Sequence, residues 1–325
     1  MPVETISRPM VGPPAKKRLV QQLAVKLYSK VRQIQDLTTK QGPNSPRPTI
    51  ESPVTLVCLS DTHNSKPASL PPGDILVHAG DLSQFGTFPE IQAQLTWLSA
   101  QPHRHKVVVA GNHDLLLDRN FVAAHPDREL DKHADLEWGD GNYSLHYLEH
   151  ETIEFAVESP NDGEPRRVSV FGSPWTPRCG NWAFQYQSGK DAQFDWIGVI
   201  PNDTDIAVLH GPPKGHLDDG GKGCGMLLEE LWRARPAVVV CGHIHPGRGE
   251  EWLWYDNIQR WYDNVILERK QWVSVLCLAV VYVWVLIQWA VGKPGKGRSP
   301  ERQYTRLINA AVVGSHGGGA MIATI

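Results

Sequence analysis

Five short polar clusters carry the residue types of metal chemistry: Asp61-Thr62-His63, Gly80-Asp81, Gly111-Asn112-His113-Asp114, His210-Gly211-Pro212-Pro213 and Gly242-His243-Ile244-His245. They offer oxygen and imidazole donors and no thiolate, a set that suits Mn2+, Fe2+, Zn2+ or Mg2+ better than a structural zinc. The carboxylates of Asp61 and Asp81, the amide of Asn112 and the imidazoles of His63, His210, His243 and His245 exceed the needs of one ion. They suffice for two divalent metal ions if one carboxylate bridges. The metals would then lie roughly 3.5–4 Å apart, a spacing suited to in-line displacement at phosphorus. Two-metal hydrolysis of a phosphate ester is the simplest chemistry for this set.

Such scattered groups can meet only if the chain brings their neighbourhoods together. Each cluster closes an apolar run of strand length, and the runs at 54–59, 75–78, 106–110, 168–171, 206–209 and 237–241 are rich in Val, Ile and Leu. That composition is expected of strands buried on both faces. Helical stretches at 88–100 and 225–235 separate some of them, which gives an α/β layout with function at the strand ends. A further strand is expected at 305–313.

Composition limits the alternatives. A net charge of −3 argues against a partner recognised through overall positive charge, so no specific nucleic-acid partner is expected and phosphate recognition must be local. A chain that is 41% hydrophobic, with 12 Trp, is too apolar for disorder, and its 29 Gly and 25 Pro belong to loops. Cys58, Cys179, Cys224, Cys241 and Cys277 form no CxxC pair, which suits a reducing compartment. Residues 1–12 lack a basic start followed by an apolar run, so residence on the cytosolic side, with or without membrane attachment, is the expectation.

Two segments raise the question of a membrane. Residues 13–37 read as an amphipathic helix, with Leu19, Leu23, Leu27, Val31 and Ile34 on one stripe and Lys16, Lys17, Arg18, Lys26, Lys30 and Arg32 elsewhere; a Pro-rich linker follows. Residues 272–291 hold no Asp, Glu, Lys or Arg, with Trp272 and Trp289 near the ends and basic residues beyond them. A helix of that length spans the roughly 30 Å hydrocarbon core. If 305–313 joins the main sheet, however, a single crossing is forbidden, because the chain must return to the side it left. The readings are a bilayer span with the last strand unpaired, a helix lying on a membrane surface, or a helix packed against 19–34.

The blocks DTH, GD, GNHD, HGPP and GHIH, in that order, resemble the signature of the calcineurin-like metallophosphoesterase superfamily. The text GSPW (172–175) and NWAFQ (181–185) is similar to its eukaryotic metallophosphoesterase-domain-containing branch. The likeness covers about 54–249 and resumes weakly at 307–311. It implies a four-layer α/β/β/α sandwich. The corresponding division is an N-terminal helix and linker (1–53), the metallophosphoesterase domain (54–250), an insertion bearing the apolar helix (251–304) and a closing strand and tail (305–325).

The resemblance further implies that Asp61, His63 and His245 bind one metal and Asn112, His210 and His243 the other, with Asp81 bridging. A metal-held hydroxide, its pKa drawn from 15.7 towards ~7, would attack phosphorus in line. His113 would act as general acid, oriented by Asp114. Substrates would be small mono- or diesters, cyclic nucleotides among them. The rivals are a membrane-tethered metal-binding regulatory protein with little turnover, and a protein serine/threonine phosphatase.

Other residues carry weaker signals. Trp175, Asn181, Trp182 and Phe184 could wall a pocket or pack internally, and Arg178 and Arg248 could contact a phosphate oxygen. His78 reads as a core residue beside Asp81. His216 and His316 show no partner pattern, and His103, His105, His125, His133, His146 and His150 read as surface residues. The stretch 220–223 lacks GxxxxGK[ST], which rules out a P-loop there.

Overall fold

A computed structural model describes residues 19–39, 53–128, 136–137, 144–158, 164–187, 194–292, 304–312 and 319–325. His133, His316, Lys293, Lys296, Arg298 and most of the Pro-rich linker lie outside the described residues. Two sheets dominate. The first runs β13 (Met321–Thr324), β1 (Thr55–Leu59), β2 (Ile75–Ala79), β3 (His105–Val109), β4 (Ser144–Tyr147), parallel except for β13. The second runs β11 (Gly249–Leu253), β12 (Thr305–Asn309), β10 (Val238–Cys241), β9 (Ile206–Leu209), β6 (Arg166–Ser173), β5 (Glu151–Val157), with antiparallel strands only at its edges. A small ribbon pairs β7 (Thr176–Pro177) with β8 (Gln185–Tyr186).

Strand alternation divides the apolar side chains between two interfaces. Leu56, Cys58, Val77, Val107 and Val109 of the first sheet meet Val168, Val170, Val208, Val240 and Ile308 of the second in one dry layer. On the outer face of the first sheet, Val57, Leu59, Leu76 and Val108 receive Ile91, Leu95 and Leu98 of α2 (Phe88–Ser99). The Thr87–Glu90 capping box starts that helix. The second sheet likewise turns Ala207, Leu209, Val239, Cys241 and Leu307 towards Leu227 and Leu231, which lie beyond the short α3 (Arg119–Ala124) in α4 (Gly225–Ala234). The architecture is therefore a four-layer α/β/β/α sandwich.

Three more helices form a layer of their own. Val20, Ala24 and Tyr28 of α1 (Leu19–Thr39), Tyr262, Val265 and Ile266 of α5 (Asn257–Ile266), and Val275 and Leu278 of α6 (Gln271–Ala290) share one core. Tyr28 stacks on Tyr262, with ring centroids 4.4 Å apart. Arg32 meets the carboxylate of Asp256 through two bonds of 2.8 and 2.7 Å, and Asp256 also caps α5 by accepting from Gln259 N.

The strand expected at 305–313 is β12, and it lies between β10 and β11. That pairing overturns the single-span reading of 272–291. A helix that crossed a bilayer would leave β12 on the far side, away from the sheet that holds it. The helix instead packs on α1 and α5.

His216, which showed no pattern in the sequence, ties this layer to the sandwich. Fully buried, it stands 2.9 Å from Glu251 Oε1 of β11 and 3.0 Å from Asp263 Oδ1 of α5, whose other oxygen accepts from Trp232 Nε1 at 2.7 Å. Burial opposes a charged imidazole, but Glu251 and Asp263 outweigh it and raise the pKa well above the ordinary 6.5. A folded value above the unfolded one means that the charge stabilises the fold fully below the unfolded pKa. The contribution is lost as pH rises through the folded value. Replacement of His216 by Ala should therefore cost about 3 kcal/mol near pH 6 in urea unfolding, since it strands a buried carboxylate. The gap between wild type and variant should narrow at alkaline pH; a gap that widened would refute the charged state.

Candidate metal centre

Every cluster sits where the backbone leaves a buried strand. β1 ends in Ser60-Asp61, β2 in Gly80-Asp81, β3 in Ala110-Gly111-Asn112, β9 in His210 and β10 in Gly242-His243. The first sheet thus supplies the carboxylates, the amide and His63, and the second sheet supplies His210, His243 and His245. Asp61, His63, Asp81 and His243 all adopt left-handed backbone, with φ of 54°, 42°, 53° and 63°. Strain of this kind in non-glycine residues persists only where surrounding structure imposes it.

The donor atoms converge in three overlapping groups: Asp61, His63 and His245; His63, Asp81 and His113; and Asp81, His210 and His243. Asp81 is central, with Oδ2 3.7 Å from His63 Nε2 and Oδ1 3.4 Å from His210 Nε2. His245 Nε2 lies 3.1 Å from Asp61 Oδ1, and Asn112 Oδ1 lies 3.2 Å from His210 Nε2. The structure therefore brings all seven expected ligand residues to one place. His113 enters the same cluster, its ring edge-on to that of His63 at 4.7 Å.

The histidine tautomers are set from behind. His63, His113 and His210 each donate Nδ1–H to a backbone carbonyl, of Ser83 (3.2 Å), Gln84 (2.8 Å) and Ala79 (2.9 Å) respectively. Each Nε2 is thereby left to serve the cluster, the arrangement that orients imidazole for a cation. Glycine makes the close approach feasible. A Cβ at Gly80 would stand 2.5 Å from His210 Nδ1, at Gly111 2.1 Å from Asp81 Oδ1, and at Gly242 2.0 Å from Asp61 Oδ2. These oxygen and imidazole donors fit divalent cations.

Electrostatics point the same way. Burial alone would raise the pKa of Asp81, but His210 and its hydrogen bond overcome it and hold the carboxyl well below the usual range. Asp61 is lowered similarly, burial being outweighed by His245, which is itself raised chiefly by its bond to Asp61. His210 rises to about 9, because Asp81 and Asp61 outweigh its burial, whereas burial and the neighbouring His210 push His243 down to about 4. His78 falls to about 3 through burial; it bonds Thr62 Oγ1 at 3.0 Å behind the site, a core position as expected.

Several secondary expectations need correction. Asp114 does not orient the His113 ring. Its carboxylate accepts from Leu82 N, Ser83 N, Ser83 Oγ and Gly111 N, clamping the loop after β2 to the loop after β3, and the Gln84 carbonyl orients His113 instead. Arg248 donates to the carbonyls of Ala310, Ala311 and Gly319, so it fastens the closing segment and is not turned to a phosphate. Trp182 does stack on His113, with centroids 4.1 Å apart, while Trp175 and Phe184 pack edge-on to one another and Phe184 is buried. Asn181 is exposed, and Arg178 bonds the carbonyl of Gly180.

His103 is buried and bonds the Pro71 carbonyl, His105 stacks on Phe155 at 4.2 Å, and His150 packs among Phe171, Phe194 and Trp196, so none of the three is a free surface histidine. Asn309 escaped the sequence reading. It donates to the carbonyls of Ile244 (2.9 Å) and Leu217 (3.1 Å) and so braces the loop that carries His243 and His245. Its signal was available, because it is a polar residue ending an apolar strand like the other five.

A two-sheet sandwich whose inner strands end in Asp, Asn and His defines a candidate metal-binding scaffold. Residues 54–247 match the calcineurin-like phosphoesterase family, and the chain belongs to it. Over 271 residues it is 42% identical to a protein of Emericella nidulans named probable rhamnogalacturonate lyase C, covering 82% of this chain and 23% of that one. It is 34% identical to metallophosphoesterase domain-containing protein 1 of Homo sapiens over 205 residues, 59% of this chain and 61% of that one. It is 32% identical to UPF0046 protein K07C11.7 of Caenorhabditis elegans over 228 residues, 68% and 74% of the two chains. The chain thus spans less than two thirds of the fungal and human relatives, and the lyase name is that of the longer fungal protein.

The glycine cradle yields a direct test. Gly242→Ala should destabilise the protein by about 1–3 kcal/mol through overpacking and displace Asp61. Metal content after loading with Mn2+, read by elemental analysis, should fall accordingly. Gly319→Ala, where a Cβ meets nothing within 4 Å, should change neither quantity. Wild-type metal content in the Gly242 variant would contradict the cradle.

Proposed function

We propose that this chain is a metal-dependent hydrolase of phosphate mono- or diesters. The observation that carries the reading is Asp81, whose two oxygens face histidines from different sheets, so that two donor groups share one carboxylate. Asp61, His63 and His245 would hold one divalent ion and Asn112, His210 and His243 a second. Ions bound there would supply activated water and neutralise charge on the phosphoryl oxygens.

The chain's own residues have separable tasks. His113 sits at the edge of the cluster with its Nδ1 proton committed to the Gln84 carbonyl, so Nε2 is the nitrogen that would hand a proton to the leaving oxygen. Trp182 lies flat on the His113 ring and fixes its plane. His113 N–H donates to Asp81 Oδ1 at 2.8 Å, which couples the acid's backbone to the shared carboxylate. The family likeness favours small substrates, cyclic nucleotides among them, over phosphoproteins.

Hydrolysis of p-nitrophenyl phosphate and bis-p-nitrophenyl phosphate with Mn2+ tests the reading. Asp81→Ala should abolish turnover together with metal retention. His113→Ala should keep the metal and lose about 10²–10⁴-fold in kcat. Equal rates for wild type and both variants would remove the catalytic assignment.

Trp182→Ala separates a positioning role from mere packing. It should lower kcat several-fold and broaden the pH profile with little change in melting temperature, and Trp182→Phe should restore most of the rate. A loss confined to stability would leave Trp182 with a packing role alone.

A further inference from the structure

We infer that α6 and the basic residues around it dock this protein on an anionic lipid surface, with α6 lying in the plane of the interface. One face of α6 is already used: Ser274, Val275, Leu278 and Val285 are buried against α1 and α5. The opposite face is exposed and apolar, with Val273, Leu276, Val280, Val283, Trp284 and Ile287 each more than half exposed and spaced by three or four residues. Trp272 and Trp289, also exposed, stand near its two ends. An unbroken apolar stripe of this length is not left to water without a partner.

Two features identify that partner as a bilayer surface. The first is charge: Arg32 and Arg269 are already paired with Asp256 and Glu229, but Lys270 at the start of α6 and Lys26 and Lys30 on α1 are exposed, and the sequence that follows α6 adds Lys293, Lys296 and Arg298 with no acidic residue before 301, in a chain of net charge −3. Basic side chains flanking an apolar stripe complement anionic headgroups. The second is the poverty of polar groups. A protein interface carries about one hydrogen bond per 100–200 Å² and a polar rim, whereas the stripe offers only the indole of Trp284.

Topology sets the orientation. Because β12 returns to the sheet, both ends of α6 stay on the side of the sandwich, so the stripe enters the interface sideways. Exposed Trp272, Trp284 and Trp289 suit the interfacial depth at which such a helix lies. α1 adds exposed Leu19 and Leu23, one turn apart, with Lys26 and Lys30 exposed further along.

The inference does not depend on hydrolysis and is tested without it. Full-length protein is floated with vesicles of phosphatidylcholine alone or with added phosphatidylserine, at low and high salt. We expect flotation with the anionic vesicles, weakened at least tenfold on neutral ones and reduced by salt. Val280→Asp and Ile287→Asp, both at exposed positions, should abolish flotation with the melting temperature unchanged. Lys270→Glu with Lys293→Glu should weaken only the anionic arm.

Sedimentation of the lipid-free protein supplies the competing outcome. A stable dimer that either Asp substitution dissociates, with no flotation of the wild type, would assign the stripe to a second copy and overturn the inference. So would a monomer that ignores both kinds of vesicle.

Discussion

Asp81 is a fully buried carboxylate that remains ionised, and the site is organised around meeting the cost of that burial. Removing an ion from water without a partner costs several kcal/mol even after relaxation. The compensation comes from His210, driven to about 9 by the same interaction, and from His63 and the backbone N–H of His113. None of these partners adjoins Asp81 in sequence. A carboxylate at the end of β2 is therefore tolerable only when β9, from the other sheet, delivers an imidazole to it. The electrostatics of the site and the packing of the two sheets are one constraint.

That constraint explains why the local backbone is unfavourable. Left-handed φ at Asp61, His63, Asp81 and His243 and near-contact of Gly80, Gly111 and Gly242 with ligand atoms each cost energy or freedom where they occur. They are imposed by the strands behind them, which are completely buried and cannot shift without opening the layer between the sheets. Asp114 adds a second clamp: four hydrogen bonds from the loops after β2 and β3 end on its carboxylate, whose pKa burial and Asp81 raise. The loops bearing the donors are thus held as firmly as the strands.

What the sequence disclosed follows from the same physics. β1, β2, β3, β9 and β10 are central strands, and because both their faces are buried they read as continuous apolar runs, each with its polar cluster at the end. β5 and β11 are edge strands with the sequences ETIEFAV and GEEWL, whose charged residues face solvent or ion pairs, so no apolar run announces them. α5 was hidden because its polar residues turn inward, Gln259 and Asp263 being buried to serve Trp254, His216 and Trp232. Contacts made by carbonyls were equally invisible: that Gln84, not Asp114, holds His113 depends on how a loop turns, which residue types do not record. His103, His105 and His150 read as surface residues in the sequence because their polar neighbours there are not their neighbours in space.

The helical layer bears on the site through this network of buried polar groups. His216 lies six residues beyond His210 on the loop leaving β9, and it joins Glu251 of β11 to Asp263 of α5. Tyr262 of α5 donates to the Gly215 carbonyl at 2.7 Å, and Ile266 packs where a Cβ at Gly215 would stand, 2.8 Å away. From α5 the chain of contacts continues to α1 through Asp256 and Arg32 and to α6 through their shared apolar core. A tether on a flexible linker would leave the edge that bears the donor cluster free to face any direction. Here the helices are bolted through charged, buried pairs to the loop that follows His210 of the candidate metal centre, so whatever surface α6 meets also fixes the direction in which the mouth of the site opens.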